Sequence, residues 1–147
     1  EISECLVGSE MCIRDRYKED RMKVNEVIEL VDELKPNNYT AARKIEWLNR
    51  IERQIYENII MTHEHDGVKE LEPYTEESAD ELLAPPPYDE LYRWYLESQI
   101  DISNQEINKY NNSSALFNEA YGAYSNWYNR NHMPLHRCNG YKFRRRV

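Results

Sequence analysis

Along most of this chain apolar side chains recur every three or four residues, the period of a helix that buries one face. Val24, Val27, Ile28, Val31 and Leu34 mark a first helix, which Pro36 ends. Asn37 and Asn38 supply a turn, and Thr40 is a candidate N-cap for a long second helix reaching about Thr62. On that helix Ile45, Leu48, Ile55 and Ile59 share one face, flanked by Trp47, Ile51 and Tyr56. Glu46 with Arg50 and Arg53 with Glu57 stand at helical spacing as exposed pairs, each worth little.

The pattern breaks between His63 and Ala84. His65-Asp66-Gly67 is a turn signal, and residues 68–74 and 81–84 are candidates for a small β-hairpin. The acidic run Glu76, Glu77, Asp80, Glu81 reads as a solvated loop rather than a ligand cage.

Helical spacing returns after Pro85-Pro86-Pro87, residues that suit a first helical turn and not a helix interior. Asp89 and Glu90 then complement the exposed N–H groups. Tyr92, Leu96, Ile100, Ile107 and Tyr110 fall on one line, with Leu91, Tyr95 and Ile102 beside it. The cluster Asn111-Asn112-Ser113-Ser114 predicts a turn into a further helix, the two lying antiparallel; one long helix through the break is the alternative. On the last helix Phe117, Tyr121, Tyr124 and Tyr128 form one line and Leu116, Ala120, Ala123 and Trp127 a second. Gly122 weakens that helix and would permit a close approach of a neighbour. The expected fold is mainly α: a small bundle of about four helices, with an irregular or short β-hairpin insertion between helices 2 and 3.

At 147 residues and net charge −8, the chain suits one domain, and no apolar run spans a membrane. Its aromatic content comes mainly from twelve tyrosines, a residue common at interfaces. Residues 1–16, EISECLVGSEMCIRDR, resemble the translation of a sequencing adaptor. Lys18-Glu19-Asp20 can be encoded over a ribosome-binding site ahead of Met22. Residues 1–21 are therefore expected to be an artefactual or disordered leader, the alternative being a genuine short extension. They hold four basic and six acidic side chains, so the charge without them is −6. Cys138 is then the one remaining cysteine, and the absence of a disulfide framework or signal peptide points to synthesis in a reducing cytoplasm. Residues 22–134 form the expected helical domain. Residues 135–147 carry Arg137, Lys142, Arg144, Arg145 and Arg146 without periodicity; they are expected to be a basic flexible tail, disordered in isolation, that docks on a neighbouring protein or is merely solvated.

Chemistry has few candidates. His63, His65 and Asp66 could begin a metal site, with His132, His136 and Cys138 as further ligands. Both groups sit at helix ends and match no common zinc spacing, so ordinary helix-end histidines explain them better. Cys138 has no evident base or orienting partner for nucleophilic catalysis. No glycine-rich phosphate loop exists, and the acidic chain lacks a DNA-reading motif. Neither metal nor cofactor is expected.

MKVNEVIELVDELKPN, then KIEWLNRIERQIYENIIMTH, then LLAPPPYDELYRWYLESQIDISNQEINKYNNSSALFNEAYGAYSNWYNRNHMP resemble a family of small head–tail connector (adaptor) proteins of tailed phages and prophages. The likeness covers nearly all of residues 22–134. It is most specific in the proline-Tyr88-Asp89-Glu90-Leu91-Tyr92 helix start, the Glu97-x-Gln99-Ile100-Asp101 step, the Tyr110-Asn111-Asn112-Ser113 turn and the Asn129-Arg130-x-His132-Met133-Pro134 end. The resemblance implies a helical protomer without catalytic activity, in a homo-oligomeric ring beneath the portal of the virion. It also implies contact with portal and tail or stopper proteins, passage of genomic DNA without specific binding, and synthesis in the bacterial host cytoplasm. An acidic channel suits passage, because it repels phosphate. Two other classes remain: a helical protein-binding module or regulator of phage origin, and a small metal-dependent enzyme using His63, His65 and Asp66. From the helix faces, Trp94, Tyr124, Trp127 and Tyr128 are expected nearest the subunit boundary, with Leu116, Phe117, Ala120 and Tyr121 inside the protomer.

Overall fold

A computed structural model describes residues 21–65, 70–77 and 79–135. Four α-helices follow in order: α1 (Val24–Leu34), α2 (Ala41–Ile55), α3 (Glu90–Ser103) and α4 (Ile107–Asn131). A π-helical turn, Tyr56–Ile60, continues α2. Thr40 does cap α2, its side chain accepting from the Arg43 N–H at 3.4 Å. The predicted faces of the first two helices are buried at Val24, Val27, Ile28 and Val31 on α1, and at Ile45, Leu48, Ile51 and Ile55 on α2; Leu34, at the end of α1, is half exposed instead. Arg43 takes Glu46 at 2.9 Å, in place of the expected Glu46–Arg50 pair.

The hairpin expected between helices 2 and 3 does not form among the described residues. Glu81 makes an isolated antiparallel bridge to Lys23 at the start of the domain, with Leu82 N–H on the Met22 carbonyl at 3.0 Å and Val24 N–H on the Asp80 carbonyl at 3.2 Å. Tyr74 bonds a side-chain amide instead of a strand. Its N–H reaches Asn49 Oδ1 at 2.8 Å and its carbonyl accepts from Asn49 Nδ2 at 3.1 Å. With its backbone satisfied from α2, Tyr74 needs no strand partner. Gly67, Val68 and Lys69, part of that expectation, lie outside the described residues.

The turn between the last two helices also differs from expectation. It lies at Asn104–Glu106, where Gln105 takes a left-handed φ of 61°, and Asn111–Ser114 lie inside α4. Ile107, placed on the α3 line by spacing, is 64% exposed. The antiparallel pairing of α3 and α4 makes this register the favourable one. Ser113 Oγ donates to the buried Asp101 carboxylate at 2.8 Å, and further along the Tyr95 and Phe117 rings meet at 5.2 Å. Asp101 also takes the Lys35 ammonium, joining α1, α3 and α4. This anchor outweighs the poor helix propensity of four Asn and Ser residues in a row.

Gly122 on α4 faces open space: a Cβ built there meets nothing within 4 Å, so no neighbour within the protomer uses the missing side chain. Gly122→Ala should therefore stabilise the protomer by roughly 0.5–1 kcal/mol, the helical cost of glycine. An unchanged or lowered denaturation midpoint would contradict this.

A candidate docking groove on the outer face of the last helix pair

The longest helix is the least buried. Of the 25 residues of α4, only Ser113, Tyr124 and Tyr128 are buried. The proline segment ahead of α3 and the end of α2 supply most of the cover at its C-terminal end. Tyr88 lies 6.2 Å from Tyr124 and 5.2 Å from Trp127, ring to ring. His63, after the π turn, meets Tyr128 edge-on at 5.3 Å, and His132 stacks on the same tyrosine at 3.8 Å. An isolated bridge between His63 and Pro134 fixes this end, with Glu64 N–H on the Met133 carbonyl at 2.7 Å and Leu135 N–H on the Thr62 carbonyl at 3.0 Å.

The middle of α4 is open. A groove of about 390 Å³ runs between α4 and the start of α3, with Pro87, Tyr88, Trp94, Leu116, Ala120 and Ala123 along its walls. Leu116 is 40% exposed, and the Arg93 guanidinium lies over the Trp94 ring at 4.3 Å. Two carboxylates, Glu90 and Glu119, edge the groove, and neither belongs to an ion pair among the described residues.

The four expected interface residues therefore do not form one surface. Trp94 lines the groove. Tyr124 and Tyr128 are buried within the protomer, with 1% and 6% of their surface exposed, because Tyr88 and His63 close over them. Trp127 is half-buried and borders a separate hollow of about 410 Å³ with Arg21, His65 and His132. The expected interior set divides the other way: Leu116 is on the surface, while Phe117, Ala120 and Tyr121 pack half-buried against the core.

The histidines are engaged locally. His63 Nδ1 lies 2.8 Å from the Ile59 carbonyl and 2.9 Å from Thr62 Oγ1; His65 Nδ1 and His132 Nδ1 approach the His63 and Tyr128 carbonyls at 3.0 and 3.1 Å. No group of three His, Cys, Asp or Glu among the described residues could hold a metal ion. Asp66, His136 and Cys138 lie outside the described residues.

The sequence reading missed the buried charged groups Lys44, Asp101 and, the most enclosed of them, Glu52. Glu52 sits in the core of α2 with none of its surface exposed. Tyr74 Oη donates to it at 2.9 Å, Tyr92 Oη donates to it as well, and Leu83 N–H approaches at 3.4 Å. Tyr92 Oη in turn accepts from the Ala84 N–H at 2.9 Å. Burial pushes the Glu52 carboxyl from 4.5 up to about 7, against the lowering effect of these hydrogen bonds. The signal was present: Leu48, Glu52, Ile55 and Ile59 fall on one face, so Glu52 interrupts an apolar line. The arrangement pins the segment before α3 to α2, and none of the Glu52 surface is open to solvent.

Comparison of the chain with protein-family models, curated proteins and solved structures finds no match. No helix among the described residues is long and apolar enough to cross a membrane.

Proposed function

We propose that this chain is a structural virion protein, a head–tail connector that assembles as a homo-oligomeric ring beneath the portal of a tailed phage. The observation that carries the reading is the outer face of α4: a 25-residue helix with three buried residues, beside an apolar groove with Trp94 and Leu116 on its walls. A helix that presents apolar side chains to solvent over its middle turns has a surface suited to a further partner. The resemblance of residues 22–134 to phage connectors supplies the kind of partner, and the net negative charge suits a channel that lets DNA pass.

The test is assembly on a cognate portal, followed by mass photometry and negative-stain microscopy. The wild-type chain should add a closed ring of copies to the portal. Leu116→Arg should leave the melting temperature within about three degrees, since an exposed substitution changes stability by roughly 0.5 kcal/mol or less, and should abolish ring addition. Binding of one copy to a single partner, with no ring, would instead support a helical binding module and overturn the connector reading.

A further inference from the structure

We propose that the basic tail of this chain, residues 136–147, docks in the protomer's own groove between α3 and α4. Charge is the first argument. The last twelve residues carry five basic side chains and no acidic one, so the rest of the chain bears −13 of the net −8. Glu90 and Glu119, both without an ion-pair partner among the described residues, edge the groove. The neighbouring hollow at the C-terminal end of α4 sets the Arg21 guanidinium against a single carboxylate, Glu64, beside His65 and His132, and is the less favourable host for a cationic segment.

Length is the second argument. Ala123 and Leu116 lie 8 and 15 residues before the end of α4 at Asn131, roughly 12–23 Å back along the helix axis. Tyr141 and Phe143 stand 6 and 8 residues beyond Leu135, a reach of about 20–26 Å when extended. A tail running back along α4 therefore brings its two aromatic rings level with the apolar walls. It sets Lys142 and Arg144 beside the two carboxylates. A tether this short holds the segment at an effective concentration on the order of millimolar, so modest contacts suffice to seat it. The tail then competes with any neighbour for the same apolar surface. This inference stands apart from the connector reading, since it requires no second protein.

Disulfide trapping in the full chain tests it. Cys5, Cys12 and Cys138 are replaced by serine, and Lys142→Cys is paired either with Ala123→Cys in the groove or with Asn118→Cys. Both α4 positions are exposed, and Asn118 lies about 7.5 Å further back along the axis, on another side of the helix and still within the span the tail would cover. Under mild oxidation the 123–142 pair should close within one chain, at least tenfold more than the 118–142 pair, independently of protein concentration. Peptide mapping without reductant identifies the link. Adding Leu116→Arg to the groove pair should lower its yield severalfold. Equal yields from both pairs, no internal link, or links only between chains would overturn the proposal and leave ring assembly to be judged on its own experiment.

Discussion

Glu52→Gln should flatten the fall in stability between pH 4.5 and 7. The folded chain holds the Glu52 proton up to about pH 7, whereas an unperturbed carboxyl releases it near 4.5. In that window the native state binds more protons than the unfolded one, so stability falls as pH rises and levels off above the folded-state value. The size of the effect is about 3 kcal/mol, the interval from 4.5 to about 7 at roughly 1.36 kcal/mol per pH unit. Glutamine removes the ionisation and keeps the shape. Its network can reorganise, because Tyr74 Oη has a second acceptor in the Glu81 carbonyl at 3.3 Å and can then accept from the glutamine amide. Denaturant unfolding at pH 5 and pH 8 decides the matter: the wild-type chain loses stability across the interval, and the variant loses less by most of that 3 kcal/mol. Parallel profiles would show that the buried carboxyl does not titrate in this range.

Tyr124→Ala should cost about 3–5 kcal/mol of folding stability, the usual effect of deleting a buried aromatic side chain. Tyr124 is 1% exposed and touches the rings of Tyr88, Trp127 and Tyr128. Its loss opens a void where α4, the proline segment and the end of α2 meet. Leu116→Arg, two turns earlier on the same helix, provides the contrast with nearly unchanged stability. Should Tyr124→Ala melt with the wild-type protein, the packing at this junction is wrong.

How much of this was legible in the sequence follows from where each constraint resides. The faces of α1 and α2 were legible because their burial follows the helical period, and Thr40 because capping is local. The turn at Asn104–Glu106 was not. Gln105 adopts a left-handed φ without the glycine or asparagine that usually signals one, and Ile107 falls on the α3 line by arithmetic alone. What locates the turn is the tertiary anchor of Asp101 on Ser113 and Lys35. At the candidate site, Trp94 was legible because it stands between an apolar line and a charged face. The burial of Tyr124 and Tyr128 was not, because the rings that cover them, Tyr88 and His63, come from outside regular α-helix. For the same reason Leu116 passed for a core residue: its line on α4 is continuous, but the partners that would bury it are absent at that height.

The π turn at Tyr56–Ile60 sets the phase of everything that follows it. Met61 N–H reaches the Tyr56 carbonyl at 2.9 Å, a five-residue step, so the helix takes in one residue more than an α-turn would. That extra residue lets Ile59 and Ile60 both face inward and brings His63 around to Tyr128. Shortening the segment by one residue would restore a regular α-turn and swing His63 by about 100° around the axis. The chain should therefore tolerate substitutions at the exposed Glu57 and Asn58 far better than a single-residue deletion there. Among relatives that preserve the His63–Tyr128 contact, the spacing from Ile55 to His63 should vary less than the identities of the residues between them.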